Sequence, residues 1–192
     1  MTNQPQSAGK AAFKRGSTLD ATRFYMGSLM SILAPRTETG GQLAIMEAQV
    51  KPGNEPPPHI HEWENEVYYV LKGAIEFYCD DQIINVGPGE IMFIPQGKAH
   101  AMYIRSPRAR LLIVAQATTS DHSTGIDQYF IDMSEPATSL DLPTGQATYA
   151  TTVDPSKAIK VAASHGVYFL SRDEMLTLLP QYPGFGVSRE LV

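Results

Sequence analysis

Residues 53–73, which read GNEPPPHIHEWENEVYYVLKG, decide the fold of this chain. Two histidines, His59 and His61, stand on alternate positions, and Glu66 follows them. Alternate residues of a β-strand point to the same face, so the two imidazoles can reach one point in space. Glu66 is out of phase with them, and the chain must therefore turn or bulge around residues 63–65 before the carboxylate can join them. Imidazole and carboxylate groups that converge in this way indicate a divalent metal site.

The composition of the chain is that of one globular domain with appendages. It has 192 residues, of which 43% are apolar and 18% charged, and this is enough to bury a core. The net charge of −5 gives no reason to expect a nucleic-acid or membrane partner. Cys79 is the single cysteine, which excludes internal disulfides and fits a reducing compartment. Because no secretory signal or membrane-span pattern is visible either, we expect a cytoplasmic protein.

Short apolar runs between glycine- and proline-rich turns extend outward from the opening stretch. They predict strands at residues 24–33, 42–50, 67–71, 74–79, 83–86, 91–94, 100–104 and 111–117. Many short strands at regular spacing predict an all-β sandwich or barrel. The strand at 24–33 is apolar and can pair across a dimer, so we expect a homodimer.

The two ends of the chain differ from this strand-rich middle. Residues 1–20 are polar and predict a flexible arm. After about residue 120 the pattern breaks: Asp154 predicts a helix start, 167–170 a strand, and Ser171 with Glu174 the capping box of a second helix. We therefore divide the chain into an arm (1–20), a β-barrel (21–135) and a C-terminal loop with a helical cap (136–192).

A second cluster of motif residues follows at 89–100, GEIMFIPQGKAH. Together the two clusters resemble the cupin family. Its first motif is G, five residues, H-x-H, three or four residues, E, six residues, G, and its second is G, five residues, P-x-G, two residues, H, three residues, N. The matching residues are Gly53, His59, His61, Glu66, Gly73, Gly89, Pro95, Gly97 and His100. Ile104 replaces the final Asn, a position that does not ligate the metal.

The resemblance implies a double-stranded β-helix, or jelly-roll barrel, with a short helical C-terminal extension. It also implies one divalent transition metal ion (Fe, Mn, Ni, Co or Zn) with four ligands: His59, His61, Glu66 and His100. Spacing to Gly73 favours Glu66 over its neighbours Glu62 and Glu64, which we expect to be solvated charges at the rim. His122 and His165 fall outside the motifs and are expected at the surface or at a helix end.

The inward faces of the expected strands predict an apolar cavity for a small aromatic or hydrophobic molecule. Its expected lining residues are Tyr68, Val70, Met92, Ile94, Met102 and Ile104. Tyr68 and Gln116 are candidates for hydrogen bonds to the ligand. Trp63, beside the expected metal site, either stacks on the substrate or packs against a loop or a second subunit.

The layout resembles that of bacterial single-domain cupins of the quercetin-dioxygenase type. The resemblance implies an oxygenase that uses O2, with Glu66 acting as both metal ligand and base. Two other classes stay open, because a cupin site constrains chemistry only loosely. One is a metal-dependent isomerase or lyase that uses no O2. The other is a non-catalytic protein that binds a small molecule.

Overall fold

The computed structural model describes residues 11–144, 154–185, 187 and 189–192. These residues contain twelve β-strands and three α-helices. The strands are β1 (Thr22–Tyr25), β2 (Ser28–Ala34), β3 (Leu43–Val50), β4 (His59–His61), β5 (Glu64–Lys72), β6 (Ile75–Cys79), β7 (Gln82–Val86), β8 (Ile91–Ile94), β9 (His100–Ile104), β10 (Ala109–Ala117), β11 (Glu135–Pro136) and β12 (Val167–Phe169). The helices are α1 (Ile126–Met133), α2 (Pro155–Ser164) and α3 (Arg172–Leu178). No helix among these residues is long and apolar enough to cross a bilayer.

Two antiparallel sheets form the barrel. The seven-stranded sheet has the order β11-β1-β2-β3-β10-β5-β8, and the five-stranded sheet has the order β12-β4-β9-β6-β7. The expected all-β jelly roll with a small helical extension is therefore confirmed. Burial alternates along the central strands, as in β10, where alternate residues from Ala109 to Ala115 are buried. The alternating buried side chains of both sheets meet between them as one core.

The expected strand at 24–33 is wrong in one respect, because it is two strands. Tyr25 pairs with Ser28 across a two-residue hairpin, and the two turn residues, Met26 and Gly27, have φ of 49° and 81°. Positive φ at both positions gives the tight turn that matches strand twist, and methionine hides it in the sequence. Both strands have partners within the chain, since β2 lies between β1 and β3. The strands at the position that we expected to pair across a dimer are therefore already paired on both edges within the chain.

The C-terminal segment begins its helices where the sequence indicates. The side chain of Asp154 accepts hydrogen bonds from the first backbone N–H groups of α2, and Ser171 with Glu174 forms the capping box of α3. Helix α1 was not expected, and it lies within the segment that we assigned to the barrel. The expected arm at 1–20 and the loop after 136 fall partly outside the described residues, at 1–10 and 145–153.

Gly73 shows why the first motif ends in glycine. Its φ is 90°, and a Cβ there would lie 2.5 Å from Ser106 Oγ and 2.6 Å from the carbonyl oxygen of Arg108. Only glycine combines this backbone conformation with so close a neighbour. Ile104, which replaces the last motif residue, is buried in the core opposite Ile75. The substitution therefore places an apolar pair between β9 and β6.

Candidate metal centre

Four motif side chains converge between the two sheets. His59, His61 and His100 come from the five-stranded sheet, and Glu66 comes from β5 of the facing sheet. One ligand atom of each lies within 4.8 Å of the others, and all four residues are buried. The structure thus brings together the four residues that were expected as metal ligands.

Strand register and one bend produce this convergence. His59 of β4 lies directly opposite His100 of β9. The chain then bends at Glu62 and Trp63, between β4 and β5, which is the turn that the phase of Glu66 requires. This bend moves the chain from one sheet to the other, so the carboxylate approaches the imidazoles from across the barrel.

The converging atoms are the Nε2 nitrogens and one carboxylate oxygen. His59 Nε2 lies 3.1 Å from His61 Nε2, and Glu66 Oε2 lies 3.3 Å from His61 Nε2 and 3.4 Å from His100 Nε2. His100 Nε2 is buried and makes no hydrogen bond. A buried nitrogen without a partner is costly unless something else, such as a metal ion, satisfies it.

The opposite nitrogen of each ring is held by an acceptor. His59 Nδ1 lies 2.8 Å from the carbonyl oxygen of Pro57, and His100 Nδ1 lies 3.1 Å from that of Lys98. His61 Nδ1 lies 3.1 Å from Glu64 Oε2. These acceptors favour a proton on each Nδ1, so that each ring, when neutral, directs its Nε2 lone pair inward. Such anchoring is what metal-ligating histidines require.

Glu64 is not the solvated rim charge that we expected. It is 1% exposed and pairs with Arg36, which is wholly buried. Its Oε2 also accepts the backbone N–H of Ile126 at 3.0 Å. Glu64 and Glu66 stand two apart on β5, so strand alternation was a signal that both point inward. Glu62 is exposed, as expected.

The buried side chains of this cluster shift one another's pKa values. Burial disfavours a charged His61, but the negative charges of Glu66 and Glu64 outweigh it and raise the pKa of His61 to about 10. Burial would raise the pKa of Glu66, yet the nearby His61 charge holds it well below its usual range. Burial and the neighbouring imidazoles lower the pKa of His59. One proton therefore balances the carboxylate charge at the centre of the cluster.

These features fit a divalent transition metal ion. Three imidazole nitrogens and one carboxylate oxygen are suitable ligands for such ions. The cluster provides an unpaired Nε2, three anchored rings and an ionised carboxylate. A metal ion bound here would neutralise the negative charge of Glu66, as the proton on His61 does without it. Because the ion needs the lone pair of His61 Nε2, its binding must release that proton.

An apolar cavity of about 50 Å³ adjoins the cluster. His59, Glu66 and Tyr68 line one part of it, and most of the remaining wall consists of apolar side chains. Of the six residues expected to line a pocket, Tyr68 and Met102 do so. The other four are buried in the core but do not line this cavity: Val70, Met92, Ile94 and Ile104. Gln116 is exposed, because it has the opposite phase to Ala115 on β10, so it faces away from the barrel interior.

Helix α1 and strand β12 complete the cavity wall. Ile126, Tyr129 and Phe130 of α1, with Val167 and Phe169 of β12, line it. Strand β12 pairs with β4 and places Phe169 opposite His59. No pattern in the sequence indicated that α1 contributes to the wall, because its apolar face resembles that of any helix that packs on a core.

Trp63 and the two histidines outside the motifs contact other side chains of the protein. Trp63 stacks on His122 with ring centroids 3.5 Å apart, so it packs against a loop and does not line the cavity. His165 lies at the C-terminal end of α2, as expected, and its Nε2 lies 2.9 Å from a carboxylate oxygen of Asp132. Neither histidine belongs to the metal cluster.

Comparisons with known proteins add a family and several relatives. Residues 46–115 match the family model described as Cupin domain. The quercetin 2,3-dioxygenase of Bacillus subtilis (strain 168) is 26% identical over 113 residues, which is 58% of this chain and 33% of that protein. The chain therefore spans about a third of the length of this curated relative.

Two solved structures are similar over about half of the chain. A predicted oxalate decarboxylase from Thermotoga maritima has a TM-score of 0.49 and 21% identity, over 55% of this chain and 99% of that one. The polyketide cyclase RemF from Streptomyces resistomycificus has a TM-score of 0.46 and 28% identity, over 56% of this chain and 83% of that one.

Proposed function

We propose that this chain, which the comparisons support as a cupin-superfamily protein, is a metal-dependent dioxygenase acting on a small aromatic or hydrophobic molecule. The proposed metal ligands are His59, His61, Glu66 and His100. The observation that carries the proposal is the apolar cavity that ends at Glu66 and His59. A ligand in this cavity would touch two of the four proposed ligand residues.

The chain's own residues support proton transfer at Glu66. Its carboxyl is ionised at neutral pH because the His61 charge outweighs the effect of burial on its pKa. Tyr68 donates a hydrogen bond to Glu66 Oε2 at 2.8 Å and so fixes the orientation of the carboxylate. Glu66 is therefore placed to accept a proton from a substrate hydroxyl in the cavity, and its lowered pKa restricts this to a strongly acidic hydroxyl. When bound, the metal ion would supply Lewis acidity and, if redox-active, a route for electrons from the substrate to O2.

The apolar wall serves the same reaction by excluding water. A dry site strengthens the electrostatic interactions of an ionised substrate oxygen and protects reactive species from hydrolysis. The cavity volume of about 50 Å³ is roughly a third of the ~150 Å³ that holds benzene in an apolar protein cavity. An aromatic substrate can therefore enter only if the wall moves, and α1 and β12 form one side of it.

The test is oxygen uptake by protein loaded separately with Fe, Mn, Co, Ni or Zn. Quercetin is the first substrate to try, because the curated relative is a quercetin 2,3-dioxygenase. We expect uptake of O2 with loss of the flavonol absorbance for at least one redox-active metal, and none for His100→Ala. If quercetin and simpler hydroxylated aromatics bind to every metal form without O2 uptake, the dioxygenase proposal fails. An isomerase, lyase or binding protein then takes its place.

We also propose that the protein is a homodimer that packs through the outer face of the seven-stranded sheet. Ile91 and Phe93 of β8 are 60% and 50% exposed, and Tyr69 and Leu71 of β5 are 37% and 39% exposed. Tyr69 lies directly opposite Ile91 across the paired strands, and Leu71 and Phe93 each stand two positions along on the same face, so the four form one apolar patch. Such a patch can pack against its own copy across a two-fold axis. A cytoplasmic location remains a prediction.

A further inference from the structure

Two tyrosine hydroxyls meet in the wall of the cavity. The hydroxyl oxygens of Tyr25, at the end of β1, and Tyr129, in α1, lie 2.5 Å apart. The two residues are 6% and 2% exposed, and both line the cavity. Neither hydroxyl makes another hydrogen bond to the part of the chain that the structure describes. We name this pair the tyrosine dyad.

Counting hydrogens in the tyrosine dyad leaves one donor without an acceptor. Each phenol has one O–H hydrogen, and the contact between the two oxygens uses only one of them. Burial raises the pKa of both groups, most strongly that of Tyr25, so both phenols keep their hydrogens at neutral pH. The second hydrogen has no acceptor among the described residues, and the cavity is the open space beside it. A buried donor without an acceptor is destabilising.

The other polar side chains of this wall are already engaged. Ser28 donates to the carbonyl oxygen of Asn54 at 3.4 Å, and the Asn54 amide donates to the carbonyl oxygen of Gly27 at 2.8 Å. Tyr68 donates to Glu66. Asn54 keeps a second amide hydrogen, so among the described residues the tyrosine dyad is the cavity's source of an uncommitted hydroxyl hydrogen.

We propose that the tyrosine dyad is a binding site for an oxygen acceptor of the substrate, such as a carbonyl, carboxylate or ether oxygen. This inference rests on the proposed function, because it concerns the cavity beside the metal cluster. It adds a substrate class: an aromatic or apolar molecule with an acidic group at one end and an acceptor oxygen at another. The dyad determines which way round such a molecule enters.

Aromatic contacts place the dyad and the metal cluster at separate points of one cavity. The ring of Phe169 lies 5.9 Å from that of Tyr129 and 6.2 Å from that of His59, measured between centroids. One phenylalanine ring thus separates the two sites. A ligand that reaches both has two polar anchors with apolar surface between them, which is the usual arrangement of a specific small-molecule site.

The test compares two ligands of nearly equal shape, acetophenone and α-methylstyrene, which differ in a carbonyl oxygen against a methylene carbon. Binding is measured by calorimetry on the protein as purified and after removal of metal by a chelator. We expect the wild-type protein to bind acetophenone roughly tenfold more tightly, which is the contribution of about one hydrogen bond. The double variant Tyr25→Phe, Tyr129→Phe should lose this preference.

The double variant is expected to fold, because replacing both partners of a hydrogen bond by apolar groups of the same shape is nearly neutral. Circular dichroism and thermal unfolding check this. The control is Tyr168→Phe on β12, whose hydroxyl bonds to Glu62 at the surface, and it should keep the preference. Equal affinities in the wild-type protein, no binding of acetophenone, or a preference that survives in the double variant would each overturn the inference.

These measurements are independent of the proposed reaction. Binding to the metal-free protein requires no turnover, so a negative result leaves the dioxygenase proposal standing. Conversely, if O2 uptake fails but the preference for acetophenone is preserved, the dioxygenase proposal is excluded and the tyrosine dyad is still supported as a binding site. The two proposals can therefore fail separately.

Discussion

At the scale of single residues, the most informative side chain is one that the motif does not include. Glu64 links the metal cluster to the buried Arg36, because one carboxylate oxygen contacts His61 Nδ1 and the other contacts the guanidinium. The backbone N–H of Arg36 in turn donates to Asp127 at 2.8 Å. This chain of contacts orients the imidazole of His61 and connects it to the start of α1.

The substitution Glu64→Gln should weaken metal binding about 10–100-fold, as the loss of a partner that anchors a metal-ligating histidine does. It should also lower the free energy of unfolding by about 3–5 kcal/mol, because Arg36 is left buried without its counter-charge. Competition with a chelator gives the metal affinity, and denaturant unfolding gives the stability.

The matched control is Glu62→Gln, since Glu62 is exposed and two residues away on the same segment. It should change neither quantity appreciably. Metal affinities that agree for the two variants would show that Glu64 does not position His61.

At the scale of elements, the corner between α2 and β12 holds the cavity wall against the metal cluster. Gly166 has a φ of 72°, and its missing side chain makes room for the indole of Trp63. Its carbonyl oxygen also accepts the backbone N–H of Glu62 at 2.7 Å. The corner is therefore fixed to the bend that separates β4 from β5.

Gly166→Ala should destabilise the protein by about 1–3 kcal/mol more than Gly40→Ala does. Both glycines have positive φ, 72° and 73°, but only at Gly166 would the added Cβ overlap another side chain. The difference between the two variants in denaturant unfolding isolates the packing against Trp63. Equal losses of stability would mean that the backbone conformation alone accounts for the effect.

A second element-scale contact joins the C-terminal segment to the outer face of the five-stranded sheet. Glu76 of β6 accepts hydrogen bonds from Tyr78 at 2.5 Å and from Arg189 at 2.8 Å, and it also pairs with Arg105. Burial acts to raise the pKa of Glu76, but these partners outweigh it and lower the pKa. Leu179 packs beside them against the same face.

The lowered pKa of Glu76 predicts how its contribution depends on pH. A carboxyl whose folded pKa lies below its unfolded value stabilises the folded state above the unfolded value, near 4.5, and the stabilisation disappears as the pH falls through the folded pKa. Glu76→Gln should therefore lower the melting temperature at pH 7, and its difference from wild type should shrink below about pH 4.5. A difference that is constant from pH 7 to pH 3 would contradict this assignment.

At the scale of the whole molecule, the two faces of the seven-stranded sheet have different roles. The inner face contributes Glu66 and Tyr68 to the metal cluster and the cavity, while the outer face carries the exposed apolar patch around Phe93. Because alternate side chains of a strand point to opposite faces, β5 contributes both to the cavity and to the outer patch. A second copy on the outer face would leave the cavity wall of α1 and β12 uncovered.

Phe93→Glu should convert a dimer into a monomer, because it places a charge within the apolar patch. Light scattering at a series of protein concentrations measures the mass. Leu176→Glu is the control, since Leu176 is 66% exposed on α3 outside the patch. A monomeric mass for the wild-type protein would exclude the proposed dimer.

The sequence by itself determined the barrel and the four residues that cluster in it. The period of two along strands placed His59 and His61 on one face, and the resemblance to the two cupin motifs added Glu66 and His100, so the four residues could be chosen before any coordinates. The capped helix starts at Asp154 and Ser171 are local in the same sense.

Only the tertiary structure decided what surrounds those four residues. Arg36 and Tyr129 reach the site through contacts between segments far apart in the chain, and no local pattern specifies such partners. The turn at Met26 was hidden because methionine there adopts a positive φ that tertiary packing supports. The cavity wall likewise depends on how α1 and β12 close over the barrel. Local periodicity thus determined which residues point inward, whereas long-range packing decided which of them meet.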